Sequence, residues 1–127
     1  MIVVDTDVFI DFFRNHKPAV DFFSRIKDED RLDEVFFSAI SESEIIAGTH
    51  CNNPDYKERT LHFLGEFNKV IIDNKIAVLS GDIKRINDLS IPDAIIAATA
   101  LVLNATLITR NVKDFDKVKE LSMHKPY

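Results

Sequence analysis

Ile2, Val3 and Val4 form a β-branched run with no polar side chain on either face. Such a run is at home only in a strand covered on both sides. It stops at a carboxylate, Asp5, and after Thr6 and Asp7 the segment Val8-Phe-Ile-Asp-Phe-Phe13 reads as an amphipathic helix. Asp7 is placed to cap that helix, its short side chain accepting from the free N–H groups of the first turn. A buried strand that ends in an acid and runs straight into a helix sets a negative charge at the carboxyl edge of a sheet. In open α/β sheets that edge is where ligands bind.

The rest of the chain repeats the pattern. Pro18 opens a second helix, on which Ala19, Val20, Phe22, Phe23 and Ile26 make an apolar stripe, and Lys27–Arg31 is a solvated charge run. Val35–Ile40 reads as a second strand, and Ser41 and Glu44 have the spacing of a capping box opening the next helix. Asn52–Asp55 is a turn, followed by helical spacing from Tyr56 through Thr60, Phe63, Leu64 and Phe67. Val70–Ile72 gives a third strand, and a helix from about Asn74 to Leu89 is weakened at Ser80-Gly81. Ser90-Ile-Pro-Asp93 starts a helix, Ala94–Leu103, that is apolar on every side and so belongs in the core, with Asn104 as its C-terminal cap. Thr106–Thr109 is a fourth strand, and a short final strand is expected around Leu121. Strands alternating with helices predict a three-layer α/β/α domain over residues 1–127, around a mostly parallel sheet of four to five strands.

The totals narrow the function classes. A chain of 127 residues is enough for one domain with a sizeable core. A net charge of -5 argues against simple electrostatic adhesion to nucleic acid or to an anionic membrane. It does not exclude a nuclease whose acids gather round metal ions. The lone Cys51 cannot form an internal disulfide and points to a reducing, cytoplasmic compartment. The Ala94–Leu103 stretch is too short to span a bilayer, so no membrane role is expected. His16, His50, His62 and His124 share no metal-ligand spacing, and Cys51 has no His partner in sequence.

Four carboxylates occupy comparable positions. Asp5 ends the first strand, Glu44 follows the second, Asp93 opens the buried helix and Asp114 follows the fourth strand. In a parallel sheet those positions share one edge, so the four acids can converge. Crowded carboxylates repel unless a cation neutralises them, and an all-oxygen ligand set selects a hard ion, Mg²⁺ or Mn²⁺. Such a site suits phosphodiester hydrolysis. Each acid also has a purely structural explanation: a capping box for Glu44, the helix dipole for Asp93, a turn for Asp114. Asp5 is hardest to explain in that way, because an acid ending a buried strand is costly unless paired.

These residues resemble a known family. Val-Asp-Thr-Asp-Val-Phe-Ile-Asp, Ser-Ala-Ile-Ser-Glu-Ser-Glu-Ile-Ile-Ala-Gly, Ile-Pro-Asp-Ala-Ile-Ile-Ala-Ala-Thr-Ala and Leu-Ile-Thr-Arg-Asn-Val-Lys-Asp-Phe, in that order, are similar to the blocks of PIN-domain ribonucleases, specifically the VapC-like toxins of prokaryotic toxin–antitoxin pairs. The resemblance implies that Asp5, Glu44, Asp93 and Asp114 are the acidic quartet, with Thr6, Thr109 and Asn111 in support. Asn111 stands where many members carry an acid. It also implies a Mg²⁺-dependent endoribonuclease acting on RNA, usually a homodimer, held inactive by an antitoxin protein. Asp5 and Asp93 are the expected direct metal ligands, with Glu44 and Asp114 acting through water or a second ion, and Mn²⁺ able to substitute. Arg110 and Lys113, in the same loop as Asn111, are the candidate phosphate contacts.

Two other readings compete. Val-Val-Asp-Thr-Asp-Val also fits the opening of haloacid-dehalogenase-type phosphatases, with Asp5 as nucleophile and Asp7 as acid/base. The chain is short for that fold, and Asp82 is poorly placed as its later acid. A PIN-like module that binds without catalysis is the non-enzymatic alternative. Finally, Phe9, Phe12 and Phe13 are more than one face of a short helix buries easily, which predicts a partner surface.

Overall fold

A computed structural model describes Met1 to Tyr127. Its five strands are β1 (Ile2–Val4), β2 (Val35–Ser38), β3 (Asn68–Val70), β4 (Thr106–Ile108) and β5 (Met123–His124). They form one sheet in the order β3-β2-β1-β4-β5, and every pairing is parallel. The helices are α1 (Thr6–Phe13), α2 (Lys17–Asp28), α3 (Ala39–Ile46), α4 (Pro54–Leu64), α5 (Asn74–Asn87), α6 (Ile91–Leu103) and α7 (Val112–Phe115). No single helix is long and apolar enough to cross a membrane.

The two-residue period of the strands sorts their side chains into two cores. Val3 and Leu107 point to one face, where Ile76 and Ile83 of α5, Phe115 of α7 and the alanines of α6 pack. Val4, Val35, Phe37 and Ile108 point to the other, against Val8 and Phe9 of α1, Phe23 and Ile26 of α2, Ile45 of α3 and Leu64 of α4. Three layers result, as the alternation of elements predicts. Every residue from Ala94 to Ala100 is buried, because four small alanines let α6 lie close to the sheet while it also packs against α5. Asn104 ends α6 in the left-handed conformation at φ 52°, which Asn tolerates better than most side chains.

The structure corrects several boundaries. Asp5 caps α1 in place of Asp7: Asp5 is still extended, with its N–H bonded to Ile108, so the helix starts at Thr6, earlier than Val8, and the Asp5 carboxyl accepts from Thr6 N–H. β2 ends at Ser38, whose hydroxyl caps α3, so Ser41 and Glu44 lie inside the helix and form no capping box. The third strand is Asn68–Val70, because Asn68 Nδ2 donates to the carbonyls of Asp33 and Val35 and fixes the register two residues earlier than Val70–Ile72; Ile71 and Ile72 are exposed. α5 runs unbroken through Gly81. That residue faces open space, so its cost is only the ~1 kcal/mol helix propensity difference from alanine. The last strand falls at Met123–His124, where β4 offers its free edge, and not around Leu121.

The aromatic surplus on α1 is mostly absorbed within the chain. Phe9 is fully buried and its ring lies within 6.5 Å of the rings of Phe23, Phe37, Phe63 and Phe67. Phe12 stacks on Phe63 at 4.1 Å, and Phe13 meets both edge-on. Phe9 is therefore the hub of one core. Phe9→Ala should lower stability to denaturant by ~3–5 kcal/mol, while Ile86→Ala, at a side chain 72% exposed, should stay within about 0.5 kcal/mol of the parent.

Candidate acidic active site

β1 lies at the centre of the sheet with β2 on one side and β4 on the other, so the chain leaves β1 and β2 toward opposite parts of the edge from those reached through β4. The crevice beyond the carboxyl ends of β1 and β4 lies where the strand order reverses. Val4 pairs with Ile108, which sets Asp5 beside Thr109. Asp5 is 5% exposed, and its two oxygens are both engaged: one accepts from Thr6 N–H at 2.7 Å, the other from the Thr109 hydroxyl at 2.7 Å. The Thr109 oxygen in turn accepts from Asn111 N–H at 2.9 Å, which bends the chain after β4 into the site loop.

The other acids of the quartet surround this point. α6 runs back toward β4, so its N-terminus is at the same edge. Ser90 caps it, and the half-buried Asp93 sits in its first turn. Asp114, on α7, is exposed and accepts from Asn111 Nδ2 at 2.9 Å. Glu44 reaches in from α3: the Thr6 hydroxyl donates to Glu44 Oε1 at 2.8 Å, and its oxygen lies 2.8 Å from Ser41 Oγ. Thr6, Thr109 and Asn111 each hydrogen-bond one or more of these acids.

The electrostatics report the crowding. Burial, then the charge of Asp7, push the Asp5 carboxyl up to about 8, with Asp93 adding to the rise and the bonds from Thr109 and Thr6 opposing it. Asp93 is raised chiefly by burial, with the charge of Asp114 adding to it. No group of three or more His, Cys, Asp or Glu side chains is spaced to enclose an ion as it stands. Mg²⁺ asks for less, since it keeps several waters and is commonly held by one or two carboxylates.

Two acids that the sequence reading left out of the site belong to it. Asp7 adds its charge to Asp5, accepts from Arg110 N–H through Oδ2 at 3.3 Å, and leaves Oδ1 buried without a partner. Burial raises its pKa, opposed by Arg110. Asp11, one turn further along the same helix face, pairs with Arg110 Nε at 2.8 Å and accepts from the Tyr127 hydroxyl at 2.7 Å. The i, i+4 spacing of Asp7 and Asp11 was the available signal; nothing in the sequence pointed to Tyr127. Arg110 is therefore tethered, whereas Lys113 is exposed and makes no ion pair.

An all-parallel sheet with acids gathered near its strand-order reversal defines an α/β domain with an acidic site at the carboxyl edge. The PIN domain family model matches residues 2–121, and the chain belongs to the PIN-domain family, whose members are generally nucleases. Among solved structures, one from a toxin–antitoxin complex of Klebsiella pneumoniae is similar at TM-score 0.80 and 30% identity, over 100% of this chain and 98% of that one. VapBC-1 from nontypeable Haemophilus influenzae matches at TM-score 0.80 and 24% identity, over 99% and 98% of the two chains. VapBC2 from Rickettsia felis, bound to a DNA fragment from their promoter, matches at TM-score 0.80 and 19% identity, over 98% of each chain. The last two speak to fold alone. No curated protein sequence matches the chain. The family leaves the phosphatase reading without support, and the doubly engaged Asp5 oxygens are poorly disposed for a nucleophile.

The raised Asp5 carboxyl has a stability consequence with a definite sign. Folded Asp5 holds its proton up to about pH 8, whereas an unfolded aspartate releases it near 3.8. Between those values the folded chain binds the extra proton, so stability must fall as pH rises. In chelator, the melting temperature of Asp5→Asn relative to the parent should therefore climb from pH 5 to pH 8. A constant difference across that range would place the carboxylate in a less hostile environment than this geometry gives.

Proposed function

We propose that this chain is a metal-dependent endoribonuclease and the toxin of a toxin–antitoxin pair. The observation that carries the reading is the chain of neighbouring acids at one sheet edge: Asp5 feels the charge of Asp93, Asp93 that of Asp114, and Thr6 bonds both Asp5 and Glu44, with Thr109 and Asn111 holding Asp5 and Asp114. The donor set fits a hard divalent cation. It is all oxygen, Asp5 is destabilised as an anion by burial and by Asp7, and Asp7 Oδ1 is a buried oxygen without a partner.

Asp5 and Asp93 would hold Mg²⁺, or Mn²⁺ in its place, with Glu44 and Asp114 acting through water or a second ion. A divalent ion bound there supplies Lewis acidity toward phosphoryl oxygens and lowers the pKa of its water. The chain's own residues do the orienting. Thr109 and the Thr6 N–H fix Asp5, the Thr6 hydroxyl fixes Glu44, and Asn111 fixes Asp114. Arg110 and Lys113 lie on the loop where the strand's phosphates would pass. Arg110 offers a fork held in place by Asp11, and Lys113 a mobile point charge.

The toxin role rests on the similarity, at 30% identity over the whole chain, to a component of a toxin–antitoxin complex. The half-open aromatic grooves beside α1, α2 and α4, of about 240 and 260 Å³ and both edged by Phe12 and Phe63, offer an antitoxin a place to dock. Exposed Val78 and Ile86 on α5, with Ile91 at the start of α6, offer a face for a homodimer. Light scattering on the isolated chain tests the dimer, and a strictly monomeric mass counts against it.

Incubation with total RNA, with and without Mg²⁺, followed by mapping of the cleaved ends, tests the activity. Cleavage should need the metal and be lost in Asp5→Asn and Asp93→Asn, with calorimetry showing Mn²⁺ binding sharply weakened in both. Thr109→Val, which removes only the hydroxyl behind Asp5, should cost ~10–100-fold in metal affinity or activity. Metal binding with no RNA cleavage would favour a binding module instead.

A further inference from the structure

Next to the acids lies an opening of about 540 Å³, lined by His16, Pro18, Arg110, Asn111, Lys125 and Tyr127. No acidic side chain is among its walls, although the chain as a whole carries a net charge of -5. It shares Arg110 and Asn111 with the site loop, and Asn111 is also the residue that holds Asp114. The opening is thus one residue away from the acidic centre along a single loop.

Two cations line the opening, Arg110 and Lys125. Arg110 Nε lies 2.8 Å from Asp11 Oδ2 as an ion pair, and neither terminal guanidinium nitrogen is paired with a protein acceptor. Lys125 and His16 are exposed and make no ion pair. The oxygen that grips Arg110 is itself gripped by the Tyr127 hydroxyl at 2.7 Å, and the tyrosine ring lies 5.6 Å from the His16 ring. An arginine aimed in advance loses little freedom on binding, and its planar fork matches phosphate geometry.

The geometry points to a subsite for a backbone phosphate of the RNA strand, neighbouring the phosphodiester that lies over the acids: Lys125 and the free nitrogens of Arg110 hold the anion, and Tyr127, acting through Asp11, is the positioning residue that aims the arginine. This rests on the endoribonuclease reading above. It extends the contact surface from the loop leaving β4 to the C-terminal tail and the start of α2. It also gives an acidic protein a local hold on an acidic polymer, where a broad basic field is absent.

Two measurements on the full chain separate the subsite from the nuclease reading. The first is fluorescence anisotropy of a labelled single-stranded RNA of mixed sequence, in chelator at low ionic strength, where nothing is cleaved. Lys125→Ala and Tyr127→Phe should each weaken binding several-fold. Lys125→Ala should also flatten the salt dependence by about 0.7, the single-strand value for one phosphate contact. The second is steady-state cleavage in Mg²⁺, where Tyr127→Phe, which keeps the ring and removes only the hydroxyl, should raise KM and leave kcat in place. A merely structural tyrosine would lower both or neither. Inorganic phosphate should compete only weakly, since it makes one contact where a strand presents several phosphates; free phosphate displacing RNA efficiently would make this an ion site and overturn the proposal. Unchanged affinity and salt slope in Lys125→Ala would overturn it as well. If the parent cleaves no RNA while the affinity order holds, the nuclease reading fails and the subsite stands.

Discussion

The carboxylate of Asp5, clamped between the Thr6 N–H and the Thr109 hydroxyl, is the contact on which the site depends. A polar group at the end of a buried strand is costly unless its oxygens have partners. Here one oxygen starts α1 and the other ties the end of β1 to the residue after β4. The same two bonds therefore terminate a strand, begin a helix and fix the loop that carries Asn111 and Asp114. Remove the acid and three local structures lose a common reference point.

Around that point the acids are delivered by elements of different stiffness. Asp93 sits on α6, a helix whose alanines leave no slack against the sheet, so it inherits the rigidity of the core. Asp5 has the same quality through β1. Glu44 and Asp114 are exposed and held by one hydroxyl and one amide respectively. A rigid pair and an adjustable pair is an arrangement in which a cation's position is set by the first and its surroundings adapt through the second.

Most of the architecture could be read from the chain, because apolar period and turn chemistry are local signals. Ile2–Val4, the all-apolar Ala94–Leu103 helix and Asn104 at its end each declare their place within a few residues. Three of the boundaries that shifted were decided by contacts the local sequence does not contain. Asn68 pulled β3 forward through the carbonyls of Asp33 and Val35, Ser38 took the cap of α3, and β4's free edge drew Met123–His124 into the sheet. The placement of Asp5, Glu44, Asp93 and Asp114 near one edge was legible for a related reason: strand ends and helix starts on one edge are a topological inference. Asp7 and Asp11 hid as ordinary helix residues, and Tyr127, 116 positions from Asp11, has no local signature at all.

That last bond ties the site to the sheet's thinnest margin. β5 is two residues long and borders β4 alone, so its hydrogen bonds are the ones that a native protein opens first and most often. An opening of this margin that carried the tail with it would withdraw the Tyr127 hydroxyl from Asp11. The population of molecules with a fully braced Arg110 is then governed by a local opening equilibrium at the edge of the fold, and a partner or ligand that shields the tail would tune the loop without touching a single carboxylate.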